Sequence, residues 1–485
     1  MLVLFLLLSN GYWGLSNTVL AWSMENGVAI STCSGDQGEP KLSTDGQRGA
    51  IIVWWDNRNS ISTTDIYTQI VNHEGSSLWQ LNGIPVCVAT GIQYAPQLIS
   101  DGQGGAIITW YDDRNSISTT DIYVQAIDSS GTVKWVLDGI AVCTASGIQW
   151  ASQIISDNNG GCVITWYDFR NGSNNSDIYV QAINSNGVIK WTLDGVAVCT
   201  NSSSQDYPQL VTDGQGGAIM VWQDHRNGSK NFDIYAQAID STGSLKWEVD
   251  GVAICTTANN QCNPKLVSDG QGGAIITWED YRSTTLSPEH GADIYAQSID
   301  SNGNVKWIEN GISVCTVLND QWEQTMVADG EQGAIITWQD YRNTTLNLVQ
   351  RTDIYCQAID STGDLKWDVN GVAICTSFSY QYRPIIVDDC EGGAVFTWYD
   401  YRNANHYDVY TQAINKYGTI EWSMNGLSVC TAVENQYPVL VSDNHGGAII
   451  AWSDKRNEVD YDIYAQSVSR DGIVPVELSR FLYEP

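Results

Sequence analysis

The run Asp101–Gln125, DGQGGAIITWYDDRNSISTTDIYVQ, decides the fold, because it returns seven more times with little change. Its copies begin at Asp45, Asp101, Asp157, Asp213, Asp269, Asp329, Asp389 and Asp443, in steps of 56, 56, 56, 56, 60, 60 and 54 residues. Every copy carries a tryptophan at the same place: Trp54, Trp110, Trp166, Trp222, Trp278, Trp338, Trp398 and Trp452. A fixed period of this size marks units that cannot bury a core alone and stack on their neighbours. The 485 residues, which at ~150 per domain would suggest about three domains, are therefore read as one repeating body.

Within a unit the residues alternate between β-rich runs and turn residues. In the second unit, strand A is expected at Gln97–Ser100, strand B at Ala106–Tyr111 and strand C at Asp121–Ile127. Strand D is expected to contain Val133, Lys134 and Trp135 and to extend towards Ala141–Cys143. The Gly-rich segment 101–105 and the Asp-Ser-Ser-Gly segment 128–131 are turns, since glycine takes positive φ without penalty. Four strands in about 56 residues is the size of one propeller blade. The expected class is all-β, an eight-bladed β-propeller.

The ends of the repeat support a closed ring. The eighth unit has no tryptophan where its predecessors have Trp79, Trp135, Trp191, Trp247, Trp307, Trp367 and Trp422. The missing piece lies at the other end of the chain, where Trp22–Cys33 matches Trp422–Cys430. A linear solenoid needs caps at both ends, whereas a ring completes its last unit with its first segment. Residues 22–485 form the expected propeller domain. Met1–Ala21, with the apolar core Leu2–Leu8 and small residues at Val19–Ala21, reads as a signal peptide too short to span a bilayer.

The pattern DGxGGAIIxWxDxRN…DIYxQxIDxxGxxxW resembles repeats of large secreted or surface proteins of bacteria. The resemblance covers nearly everything from Trp22 onward. It implies a propeller in an extracellular or cell-surface setting, and it implies no activity. The Gly-His…Trp-Asp pairs of WD repeats and the SxDxGxxW box of sialidases are absent.

Composition narrows the partners. A net charge of −32 excludes a nucleic-acid backbone, which requires clustered Lys and Arg. It suits solubility, cationic partners or loosely held divalent cations. No 12-residue Ca²⁺ loop occurs, the five histidines share no spacing, and no nucleophile elbow or phosphate loop is present, so no cofactor is expected beyond loosely held Ca²⁺. Eight of the twelve cysteines share one repeat position (Cys33, Cys87, Cys143, Cys199, Cys255, Cys315, Cys375 and Cys430) and read as small buried hydrophobes. Cys162, Cys262, Cys356 and Cys390 fall elsewhere, leaving a bridge between two of them open.

Two recurring polar sets could carry function. After each strand B stands an Asp-x-Arg: Asp56/Arg58, Asp112/Arg114, Asp168/Arg170, Asp224/Arg226, Asp280/Arg282, Asp340/Arg342, Asp400/Arg402 and Asp454/Arg456. A second aspartate opens each strand C, and an arginine fork between the two carboxylates would tie the ends of the B–C loop. An enzyme needs one acid and one base in one place, so eight identical sets read as structure. The second set is a glutamine expected in the D–A loop with an aromatic beside it: Gln93/Tyr94, Gln149/Trp150, Gln205/Tyr207, Gln321/Trp322, Gln381/Tyr382 and Gln436/Tyr437. An amide beside an exposed ring can hold a sugar by hydrogen bonding and stacking. The structural alternative is that the amide satisfies loop backbone groups while the ring packs between blades.

Three functions remain. The first is a non-enzymatic, multivalent scaffold binding glycan or protein through the B–C/D–A loop face. The second is a polysaccharide-active enzyme with one site at the extended loops 283–292 and 343–352, where Glu289, His290, Gln350 and Arg351 break the repeat. The third is a purely structural surface protein. Many sites, one site or none would separate them.

Overall fold

In the computed structural model, which describes Trp22 and residues 24–475 apart from 117, 229–230, 286–290, 345–350 and 404, eight four-stranded antiparallel sheets stand in a ring. Met1–Ala21 lie outside the described residues. Blade 2 is typical, with strands Gln93–Ser100, Ala106–Asp112, Asp121–Ile127 and Ile140–Cys143 hydrogen-bonded in chain order. The first strand of each blade touches the first strands of its neighbours and so borders the central channel. Blade 8 is Tyr437–Ser442, Ala448–Asp454 and Asp462–Val468, closed by Val28–Ser31 from the beginning of the chain. The eight-bladed propeller and its closure by the N-terminal segment are thus present. Among the described residues no helix is long and apolar enough to cross a membrane.

Two strand boundaries differ from expectation. Strand A begins at Gln93 rather than Gln97, because the glutamine and its aromatic neighbour pair with strand B, Gln93 opposite Asp112 and Tyr94 opposite Tyr111. Strand D is only Ile140–Cys143, and Val133 contributes an isolated bridge to Ile127. The strand cannot run from Trp135 to Cys143 because Asp138 and Gly139 take φ of 60° and 91°. Gly139 is required there, since a Cβ would lie 2.5 Å from the Trp110 ring.

The core lies between blades. Ile107 and Val124 of blade 2 meet Ile164 and Trp166 of blade 3 in one buried cluster, and comparable clusters fill the other junctions. The outer tryptophans fasten the rim: Trp79 Nε1 donates to the Ser129 carbonyl of the next blade at 3.2 Å, and Trp422 Nε1 to Arg470 O at 3.0 Å.

Asp-x-Arg is the polar centre of each blade. The Asp168 carboxylate is fully buried and accepts Trp166 Nε1 at 2.8 Å, the Arg170 backbone N–H at 2.8 Å and Arg170 Nη2 at 2.6 Å. Arg170 lies flat on Tyr179, 3.7 Å from the ring centroid, and also donates to Asp194 O of its own blade. Its contact with Cys143 Sγ at 3.1 Å reaches into blade 2. The pairs at 112/114, 224/226, 280/282, 340/342 and 400/402 repeat this geometry with Nη2–Oδ2 distances of 2.5–2.7 Å.

The expected fork to the second aspartate is corrected. That carboxylate is taken by the asparagine after the arginine, as in Asn115 Nδ2 to Asp121 Oδ2 at 2.7 Å, because the guanidinium is already committed to the first aspartate and the tyrosine face. All twelve cysteines are free, including Cys162, Cys262, Cys356 and Cys390. Burial pushes the Cys143 and Cys199 thiols up to about 12, which makes them packing groups rather than nucleophiles.

Candidate functional site: the channel mouth

The recurring glutamines are not offered to a ligand. Gln93, Gln149, Gln205, Gln321, Gln381 and Gln436 are all fully buried. Their amides mostly turn back onto the D–A loop, as Gln149 Nε2 does to Ala145 O at 3.2 Å and Gln436 Nε2 to Ala432 O at 2.9 Å. The aromatics beside them stand at the channel mouth instead, with Trp150 42% exposed, Tyr207 52% and Tyr437 37%. Tyr94 and Trp150 line a cavity of 410 Å³ between blades 2 and 3.

A device unseen in the sequence lifts side chains onto this mouth. Between the aromatic position and the channel-lining position, strand A of blades 1–7 carries a bulge, with two residues facing one on strand B. The first bulge residue is left-handed in all seven: Glu39, Ala95, Ala151, Tyr207, Asn263, Glu323 and Arg383, with φ of 49–54°. A non-glycine residue in that region costs about 1–2 kcal/mol, and such strain gathers at functional surfaces. Ala151→Gly is accordingly expected to raise unfolding stability by about 0.5–1 kcal/mol, readable as a shift in denaturant midpoint; a loss would show that the bulge is unstrained.

Blade 8 lacks the bulge, since Tyr437 and Pro438 pair directly with Ser453 and Trp452. Beside it in blade 1, Gly38 stands at the aromatic position, where a Cβ would come within 2.3 Å of the Trp55 indole. The missing residue and the missing side chain open a cavity of 460 Å³ bordered by Trp55, Glu39, Lys41, Arg383, Tyr399, Tyr437 and Tyr461. A second cavity of 380 Å³ adjoins it, sharing Arg383, Tyr399 and Tyr437 and adding Trp322, Glu323, Tyr341, Tyr382 and Tyr407. Together they make one aromatic cleft across blades 6, 7, 8 and 1. Its rings are locked edge-to-face, as in Tyr399–Tyr437 at 5.8 Å and Trp322–Tyr341 at 5.4 Å.

Charged groups cluster where the repeat fails. Arg383 Nε lies 3.8 Å from Glu323 Oε1, both side chains being more than half exposed. Glu279 stands where blade 6 has Gln339; Oε1 accepts the Glu323 N–H at 2.9 Å and Oε2 the Asn263 amide at 3.1 Å. Burial, reinforced by the charge of Glu323, pushes the Glu279 carboxyl up to about 7 against those two hydrogen bonds. An unfolded glutamate titrates near 4.3. Between those values the folded chain holds a proton that the unfolded chain has lost, so stability falls as pH rises from about 4.5 to 7, by on the order of 3 kcal/mol. Glu279→Gln should remove this slope in denaturant midpoints taken across pH. Burial also pushes Asp233 and Asp462 to about 6, with the same sign, so a remaining slope in the variant should end near pH 6.

Of the extended-loop candidates, Glu289, His290 and Gln350 lie outside the described residues. Arg351 is engaged locally, with Nε on Asp353 at 3.1 Å and its guanidinium 5.8 Å from the Phe378 ring. Among the described residues, no group of three or more His, Cys, Asp or Glu is placed to hold a metal ion.

No protein-family model and no curated protein matches the chain. Solved structures do. An ulvan lyase, a polysaccharide lyase, is similar at 11% identity over 95% of this chain and 98% of that one, with a TM-score of 0.49. A eukaryotic initiation factor is similar at 8% identity over 92% and 88%, TM-score 0.47. An α-L-arabinofuranosidase from Fusarium graminearum follows at 10% identity over 66% and 93%, TM-score 0.37. Likenesses this distant carry no argument about activity.

The mouth was legible in part. The aromatic positions were read from the repeat, but Gly38, Lys41, Lys265, Glu279 and Arg383 were not. The available signals were the 54-residue step and the one-residue gap between Tyr437 and Pro438 where other units have two residues' spacing.

Proposed function

We propose that this protein binds a single polysaccharide chain in the aromatic cleft at the channel mouth. One observation carries the reading: eightfold repetition holds in the blade cores and fails at the mouth, where two adjoining cavities share Arg383, Tyr399 and Tyr437. Rigid ring faces rimmed by a few convergent polar groups are what a sugar chain needs for stacking and orientation. The multivalent alternative loses its support, since the amides assigned to it are buried.

Calorimetry against a panel of oligosaccharides should give one site per chain. Tyr399→Ala and Tyr437→Ala should each weaken binding about tenfold, equivalent to 1.4 kcal/mol, while Trp150→Ala leaves it unchanged. Six to eight sites, or a loss confined to Trp150→Ala, would overturn the assignment.

A second reading, hydrolysis of the bound chain, is favoured by the two carboxyl groups at blades 5 and 6. Glu279 is held neutral up to about 7 while Glu323 is solvated, the division between acid and base that glycoside cleavage uses. Release of reducing ends, lost in Glu323→Gln while binding persists, would support it.

A further inference from the structure

The channel holds two ammonium groups that the fold does not use. Of the 23 basic residues, eight are locked in Asp-x-Arg pairs, and Lys134, Lys190 and Lys366 sit 3.6–3.9 Å from Asp101, Asp157 and Asp329. Lys41 and Lys265 differ: among the described residues neither has a salt-bridge or hydrogen-bond partner for its ammonium. Burial lowers the pKa of both, outweighing the opposing charges of Glu39 on Lys41 and of Glu323 and Glu279 on Lys265. They occupy the same position on the inner strands of blades 1 and 5, which oppose each other in a ring of eight, and the charge of Lys41 acts on Lys265. Blades 2, 3 and 4 have Gln97, Gln153 and Gln209 at that position, so the architecture does not require a cation there.

Beside Lys41 stands Arg383, its side chain 63% exposed, in the left-handed position that holds alanine in blades 2 and 3. Lys41 and Arg383 border the same 460 Å³ cavity. The acidic groups facing these cations are Glu39, Glu279 and Glu323. Glu279 keeps its proton up to about 7, and Glu323 pairs with Arg383 at 3.8 Å while both side chains remain more than half exposed to solvent. In a chain of net charge −32, Lys41 and Arg383 at one cavity, with the charge of Lys41 acting on Lys265 of the opposite blade, mark a place for negative charge brought from outside.

Resting on the cleft proposed above, we infer that its ligand is anionic, a polysaccharide bearing carboxylate or sulfate groups, bound at the channel mouth by Lys41, Lys265 and Arg383. The sugar rings stack on Tyr399, Tyr437 and Trp55 while the charged substituent meets the two ammonium groups and the guanidinium. Such pairing is charge-assisted and weakens with salt.

The test is calorimetry with a galacturonic-acid oligomer, its methyl ester, a sulfated galactan oligomer and inorganic sulfate. The acid or the sulfated oligomer should bind one to one, at least about tenfold tighter than the ester, with an affinity that falls as salt rises. Which of the two binds tighter identifies the charged group. Lys41→Gln and Lys265→Gln, which copy the residue of blades 2–4 and so preserve the fold, should reduce that preference towards the ester level without abolishing ester binding. Arg383→Gln should do the same. Equal affinity for acid and ester overturns the anionic ligand while leaving the cleft intact. Inorganic sulfate binding as tightly as the oligomers overturns the polysaccharide as the source of the anion. Silence from every ligand, neutral glycans included, overturns the cleft as well.

Discussion

Asp168→Ala is expected to lower unfolding stability by about 3–5 kcal/mol, the loss found when one partner of a buried ion pair is removed. The substitution strips an acceptor from three donors at once: the Trp166 indole, the Arg170 backbone N–H and the Arg170 guanidinium. The indole is fully buried and the arginine side chain is 17% exposed, so neither recovers full hydration in the folded state. The damage should extend past blade 3, because Arg170 also contacts Cys143 of blade 2. Asp128→Ala provides the contrast. Its carboxylate also accepts two backbone N–H groups, but in an exposed turn where water replaces them, so the loss should stay near 1 kcal/mol. Urea midpoints of the two variants test the comparison, and equal losses would mean that the buried node is dispensable.

The repeat was readable because the residues that build it have no substitutes. A tryptophan that fills a blade junction, the aspartate that accepts its N–H and the glycine beneath its ring recur together, as in Trp110, Asp112 and Gly139. Strand C could be placed to the residue because DIYVQAI is a continuous buried run between turn signals. Strand A was misjudged at its start because a glutamine followed by a tyrosine beside Ala-Pro looks like loop, whereas the inner strand tolerates a buried amide that bonds the loop behind it. Strand D was drawn too long because Trp135 reads as strand, although its indole donates to Ser185 O across the rim and two left-handed residues separate it from Ile140. The cleft was hidden for a different reason. Repetition displays what every blade shares, while the cleft is made of departures: a glycine at Gly38 where most blades have an aromatic, a lysine at Lys41 where blades 2–4 have glutamine, an arginine at Arg383 where blades 2 and 3 have alanine. Each is unremarkable alone, and only ring closure brings blades 7, 8 and 1 together around them.

Ring closure is itself the second point of large effect. Trp22→Ala is expected to cost about 3–5 kcal/mol, the range for truncating a large buried aromatic. Trp22 is 3% exposed, its indole donates to His73 O at 3.0 Å, and its backbone N–H reaches Glu74 O at 3.3 Å. Trp191→Ala removes the equivalent indole contact, to Ser241 O, from the middle of the chain. The two variants should nevertheless differ in how they open. The outer strand of blade 3, Val196–Cys199, is covalently continued into blade 4 and tethered on both sides, whereas Val28–Ser31 is continued into blade 1 and held to blade 8 by its pairing with Asp462–Val468. Loosening Trp22 therefore frees the seam, exposing Ile463 and Ala465 of blade 8, which pack in one cluster with Val28, Ile30 and Trp54. Hydrogen exchange should show Asp462–Val468 losing protection first in Trp22→Ala, while Trp191→Ala loosens no single blade to that extent. If both variants opened uniformly around the ring, the noncovalent seam within blade 8, between Val28–Ser31 and Asp462–Val468, would be no weaker than the continuous junctions.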